Sequence, residues 1–219
     1  MNKKTTDQEQ PSTADKAKAR QRNSLGKASR DQIIASAERL LRVDGYHMLS
    51  TRRVADACGI SVGNLTYHFP NKTLLIEAVI TAVCHRYQSQ RPSIVPSDVK
   101  TPRQYLNEVS AWMLKDAVTP DTSALFLELW VLAKHHNFAA EALEQLYETV
   151  TRWITDSLES YFPKSTLLQR QRAAYFLLAL SEGSVAVFSR PQQRPLGPDD
   201  LVELAVDGAL SSLQQGNSP

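Results

Sequence analysis

Cysteine is nearly absent: Cys58 and Cys84 are the only two in 219 residues. Two thiols make neither a disulfide framework nor a four-cysteine zinc site, so a reducing compartment, the cytoplasm, is expected. No run approaches the ~20 uncharged apolar residues that a membrane helix needs. The N-terminus is polar where a signal peptide would be apolar, so no membrane is expected among the partners. Alternating apolar runs that meet at a tight turn are missing, which argues against a sheet. Internal repeats and long low-complexity tracts are missing too. So are a nucleophile–base motif, a metal-spaced His/Glu set and a glycine-rich phosphate loop, which argues against an enzyme. His135 and His136 are adjacent and cannot both face one metal from a helix. Neither cofactor nor metal is expected. What remains, at 42% hydrophobic and 22% charged, is enough to bury one large core or two small ones.

The net charge of +2 conceals an asymmetry. Residues 1–80 hold 13 Lys and Arg against 8 Asp and Glu, whereas residues 81–219 hold 12 against 15. A basic first third on a mildly acidic remainder is the pattern of a chain with one part turned to a polyanion.

Residues 1–28 contain almost no large apolar side chain and are read as a disordered basic arm. Its Lys16, Lys18, Arg20, Arg22 and Lys27 either touch phosphates in a complex or form a solvated tail. From Arg30 the period becomes helical through Ile33, Ile34, Ala37, Leu40 and Leu41, and Gly45 stops that helix. Ser50 or Thr51 caps a short helix that Gly59 breaks. Ser61 caps another, ending near Phe69-Pro70, and Asn71 caps a longer fourth helix. After a polar link from Gln90 to Pro102, apolar-periodic segments follow at roughly 103–118, 121–136, 138–162, 166–189 and 198–214. The fold class expected is all-α with about nine helices. Its units are the arm (1–28), a first, smaller helical domain (29–88) and a larger helical domain (89–219).

The informative stretch is 50–72, S-T-R-R-V-A-D-A-C-G-I-S-V-G-N-L-T-Y-H-F-P-N-K. Two short helices flank a tight turn at Gly59, where positive φ is expected. Ala55, Ile60 and Leu65 are apolar at the positions that lock the helices together. The outer side of the second offers Ser61, Asn64, Thr66, Tyr67 and His68, short or planar hydrogen-bonding groups in place of Lys and Glu. This is a helix-turn-helix pattern, whose second helix enters the major groove. Arg53 is expected to snorkel or to pair with Asp56 in place of reading a base, and Phe69 to pin the second helix from the core.

From about Asp31 to Ala78 the sequence resembles the TetR family of bacterial transcriptional regulators. The resemblance rests on I-I-A-S-A-E-R-L-L, then D-G-Y, T-R-R-V-A-D-A-C-G-I-S-V-G-N-L and Y-H-F-P-N-K-T-L-L. Thr66 stands where the family usually has an aromatic, with Tyr67 following. By position, the resemblance assigns DNA contacts to Thr51 and Arg52, to Ser61, Val62, Gly63, Asn64, Tyr67 and His68, and to Lys72. Thr66 joins them on the exposed side. Arg52 suits a bidentate pair with guanine, and Asn64 an adenine edge or a phosphate. Tyr67, His68 and Lys72 suit phosphate oxygens. Thr51 is equally an N-cap.

The resemblance further implies a homodimer on double-stranded operator DNA, paired through its last two long helices, with Gly183, Ala186, Val187, Leu201, Ala205 and Leu213 at the interface. A core internal to one chain is the alternative. It also implies an effector site, so far without an identified small molecule, in the middle helices. Trp112, Phe126, Trp130, Tyr147, Trp153, Tyr175 and Phe176 either line that pocket or form plain core. Glu128 and Glu182 interrupt apolar faces, and a carboxylate among aromatics favours a cation. The stretch E-L-W-V-L-A at 128–133 is similar to the BetI-type branch. The function expected is a repressor released from DNA by its effector. An activator, a regulator controlled by a protein partner and a small helical enzyme are the alternatives.

Overall fold

Caps and breakers account for where the helices begin and end. In the computed structural model, residues 13–96, 98–188 and 195–214 are described, and among them the chain forms nine α-helices and no strand. These are α1 (Thr13–Met48), α2 (Thr51–Cys58), α3 (Val62–His68), α4 (Lys72–Ile94), α5 (Pro102–Ala117), α6 (Pro120–His135), α7 (Asn137–Tyr161), α8 (Leu167–Phe188) and α9 (Pro198–Gln214). Ser50, Ser61 and Asn71 each accept a hydrogen bond from the backbone N–H three residues on, satisfying a donor that α2, α3 or α4 leaves unpaired. Thr101 and Gln104 close a capping box ahead of α5, with Pro102 as the first helical residue. Gly59 ends α2 in the left-handed region at φ 67°, ψ 29°.

Two expectations meet a different outcome here. The arm predicted over 1–28 is helical from Thr13, with residues 1–12 outside the described part. Its Ala, Lys, Arg and Gln are strong helix formers, and they extend a helix already nucleated downstream. Gly45 breaks the helix where expected, at φ 77°, ψ 166°, and a short helical stretch follows it as far as Met48. The boundary predicted at 88/89 falls inside α4, which runs unbroken from the N-terminal unit onto α7.

The packing follows the apolar faces. Leu41, Leu49, Val54, Ala55, Leu65, Phe69 and Leu75 close the core of the first four helices. Beyond them, α6 packs on α7, α7 on α8, and α9 on both α5 and α8, while α1 rests on α6. Among the described residues, no helix is long and apolar enough to cross a membrane.

Candidate nucleic-acid interface and ligand cavity

Phe69 and Leu65 hold α3 from beneath, both almost wholly buried. The helix is only seven residues long, too short to persist without such packing. With its inner face anchored, Ser61, Val62, Gly63, Asn64 and Tyr67 are turned outward, and Tyr67 is 85% exposed. His68 is half-buried, its ring edge-on to Tyr67 at 5.3 Å. Thr66 is half-buried as well, its hydroxyl donating to the Gly63 carbonyl at 3.1 Å. Arg52 is exposed at the start of α2 and Thr51 partly so.

Arg53 is engaged elsewhere than expected. Its guanidinium pairs with Asp44 at 2.8 Å and donates to the Met48 carbonyl at 3.0 Å. Asp56 is only three residues along the same helix, but Asp44 sits across the break at Gly45. This pair ties α2 to the end of α1.

Lys72 is also committed in the free protein. Its ammonium donates to the Tyr46 carbonyl at 2.7 Å and lies 3.7 Å from the centre of the Tyr46 ring. Burial lowers its pKa. The Tyr46 N–H donates in turn to Glu128 Oε2 at 2.8 Å. Glu128 therefore faces α1 and lies outside the cavity, contrary to the expectation for it. A helix turns about 100° per residue, so Glu128 stands ~200° round from Phe126 and Trp130. That offset is readable from the spacing. A second junction joins Glu38 on α1 to Arg86 on α4 at 2.9 and 3.1 Å, and to Arg42, which also reaches Asp121 on α6 at 3.0 Å.

Between α4, α5, α6, α7 and α8 lies a small cavity of about 50 Å3, open on one side to solvent. Trp112, Phe126, Tyr147 and Glu182 line it, as do Tyr87, Asp116 and Thr122, which the sequence reading missed. Asp116 sits in the last turn of α5 just ahead of a Thr-Pro helix start, where an acid reads first as a cap. Trp130 stands one layer back, its indole N–H donating to the Tyr147 hydroxyl at 2.9 Å. That hydroxyl donates to Glu182 Oε2 at 2.8 Å. Burial pushes both the Tyr147 and the Glu182 pKa upward. Trp153 packs edge-on against Trp112 at 6.0 Å, outside the lining. Tyr175 and Phe176 are on the outer face, 58% and 37% exposed.

The residues expected at a dimer interface divide into two groups. Gly183, Ala186 and Val187 are exposed on α8. Leu201, Ala205 and Leu213 are buried within the chain itself, because the apolar face of α9 is already covered by α5 and α8.

Residues 33–79 match the family model described as bacterial regulatory proteins, tetR family. Over 52 residues the chain is 35% identical to the HTH-type transcriptional regulator UidR of Escherichia coli (strain K12), a match spanning 24% of this chain and 26% of that protein. The chain thus aligns with about a quarter of the length of its curated relatives. Among solved structures, Salmonella enterica GusR superposes with a TM-score of 0.67 at 20% identity, over 85% of this chain and 96% of that one. A TetR transcription regulator from Haloarcula marismortui gives 0.66 at 20% identity, over 85% and 97%. At such identities the likeness is one of fold. The family match falls on α1 to α4, the part of the chain that carries the outward-facing α3, and over those residues the chain is similar to the bacterial regulatory proteins of the tetR family.

Proposed function

We propose that the chain is a sequence-specific DNA-binding repressor that acts as a homodimer in the bacterial cytoplasm and leaves its operator when a small molecule fills the cavity. The observation that carries this reading is the outer face of α3. Asn64 and Tyr67 are exposed on a helix anchored by Phe69, and no acidic side chain stands on that helix. Arg52 reads a guanine edge, Asn64 an adenine edge or a phosphate, and Ser61, Tyr67 and His68 take phosphate oxygens. Thr51 and Val62 lie alongside, and Lys72 adds positive charge while its ammonium anchors Tyr46. Thr66, bonded to its own helix, contributes packing at the edge of the contact.

Release requires that the effector bind more tightly to the arrangement of heads that does not fit DNA. The cavity suits this because α4 and α6, which help wall it, also touch the DNA-reading unit. Fluorescence anisotropy on DNA from upstream of the chain's own gene tests the reading. Arg52→Ala and Tyr67→Ala are each expected to weaken binding by roughly 1–3 kcal/mol, about five- to 150-fold, with unchanged melting temperature. Binding equal to that of the parent chain by both variants overturns the interface.

A further inference from the structure

The cavity's chemistry, on the reading that it is the effector site, points to one class of ligand. Its walls bring together the rings of Tyr87, Trp112 and Phe126 with the carboxylates of Asp116 and Glu182, and no Lys, Arg or His lines it. Tyr87 meets Trp112 and Phe126 edge-on, at 6.3 and 5.7 Å between ring centres. The Trp130 indole N–H can only donate, so the Tyr147 oxygen that receives it turns its own hydrogen to Glu182. That relay presents Glu182 as an acceptor. Asp116 is likewise held as an acceptor, by the Tyr87 hydroxyl at 2.7 Å and the Thr122 hydroxyl at 3.2 Å.

What these acids lack is a counter-charge. Among the described ion pairs none includes Glu182 or Asp116. Arg86 feels the charge of Asp116, but its guanidinium is bound by both oxygens of Glu38. A carboxylate partly removed from water without a cation is costly. Burial accordingly pushes the Glu182 pKa up, with hydrogen bonds from Tyr147 and Trp130 only partly opposing it. A positively charged ligand would relieve that cost and gain the attraction of the ring faces. An anion would meet two negative groups and no donor of positive charge.

We propose that the cavity binds an organic ammonium ion, its charged nitrogen against Glu182 and its apolar body between Trp112, Phe126 and Tyr87. Glu128 has no part in this site, being turned to Tyr46.

Isothermal titration of the full chain, without DNA, tests the proposal with three matched probes: 4-phenylbutylammonium, 4-phenylbutanol and 4-phenylbutanoate. The ammonium is expected to bind roughly tenfold or more tightly than the alcohol, and the carboxylate not to saturate. Glu182→Gln keeps the side-chain volume and an acceptor for Tyr147; it is expected to abolish most of that preference while leaving the alcohol's affinity in place. Asp116→Asn, a smaller change at a second wall, is expected to reduce the preference in part and serves if Glu182→Gln does not fold. Alcohol or carboxylate binding as tightly as the ammonium, no saturable ammonium binding, or full preference in both folded variants overturns the proposal. Because no DNA is present, a chain that shows this preference and yet fails the anisotropy experiment keeps its ligand class and loses only the regulator reading.

Discussion

Gly63 has no role that the free protein can explain. It occupies the first turn of α3, and a Cβ added there would meet nothing nearer than the Ser61 hydroxyl at 3.9 Å. Its backbone is helical, a conformation open to any residue, so alanine at this position should favour the helix by about 0.5–1 kcal/mol. On the proposed DNA-binding reading, the reason for glycine lies outside the chain, in a DNA surface that comes within a methyl group of the backbone. Gly63→Ala is therefore expected to raise the melting temperature slightly and to weaken DNA binding, two effects of opposite sign. Thermal melts and anisotropy on the same preparation check it, and unimpaired DNA binding would remove Gly63 from the interface. Gly59 differs: at φ 67° with open space around it, glycine is required by its own backbone. That kind of glycine is legible in the sequence, since a turn between two capped helices demands it. Gly63 is legible only through the family resemblance.

At the scale of elements, local chemistry was readable and longer-range pairing was not. Caps at Ser50, Ser61 and Asn71 depend on three or four consecutive residues, so the starts of α2, α3 and α4 follow from the sequence. The use of Lys72 and Glu128 does not, because their common partner, Tyr46, lies 26 and 82 residues away. Together these two side chains take both backbone polar groups of Tyr46, just after Gly45, where a Cβ would fall 3.0 Å from Glu128 Oε1. Helix α6 thus presents Phe126 to the cavity on one side and grips the end of α1 on the other. Glu128→Ala is expected to cost about 1–3 kcal/mol through the lost charge-assisted hydrogen bond. It should also bring DNA affinities with and without 4-phenylbutylammonium closer together while leaving the ammonium's own affinity unchanged. Glu128→Gln, which keeps an acceptor, should lie between. Anisotropy titrations at saturating ammonium measure the ratio, and a ratio equal to the parent's excludes this junction as the coupling element.

Apolar periodicity marks a face that is covered without saying by what, and this limits what sequence reveals about the whole molecule. Leu201, Ala205 and Leu213 have the spacing of an interface, yet α5 and α8 of the same chain already cover them. What remains uncovered is a stripe on α8, through Tyr175, Ala179, Gly183, Ala186 and Val187, with Leu204 on α9. Phe176 bridges the two helices, close enough that a Cβ on Gly208 would come within 2.4 Å of its ring. At Gly183, by contrast, nothing stands within 4 Å, so a second backbone can approach there. A homodimer through this stripe would place two α3 helices on one duplex, and both half-sites would contribute to affinity. Val187 and Leu204 are 52% and 53% exposed in the single chain, so charges there should alter its own stability by no more than about 0.5 kcal/mol. In a dimer the same charges would be buried without partners and strongly unfavourable. Val187→Glu with Leu204→Glu is thus expected to sediment as a folded monomer and to bind operator DNA far more weakly than the parent. Sedimentation velocity and circular dichroism separate the outcomes: a variant that is folded and still dimeric would place the subunit contact on another face.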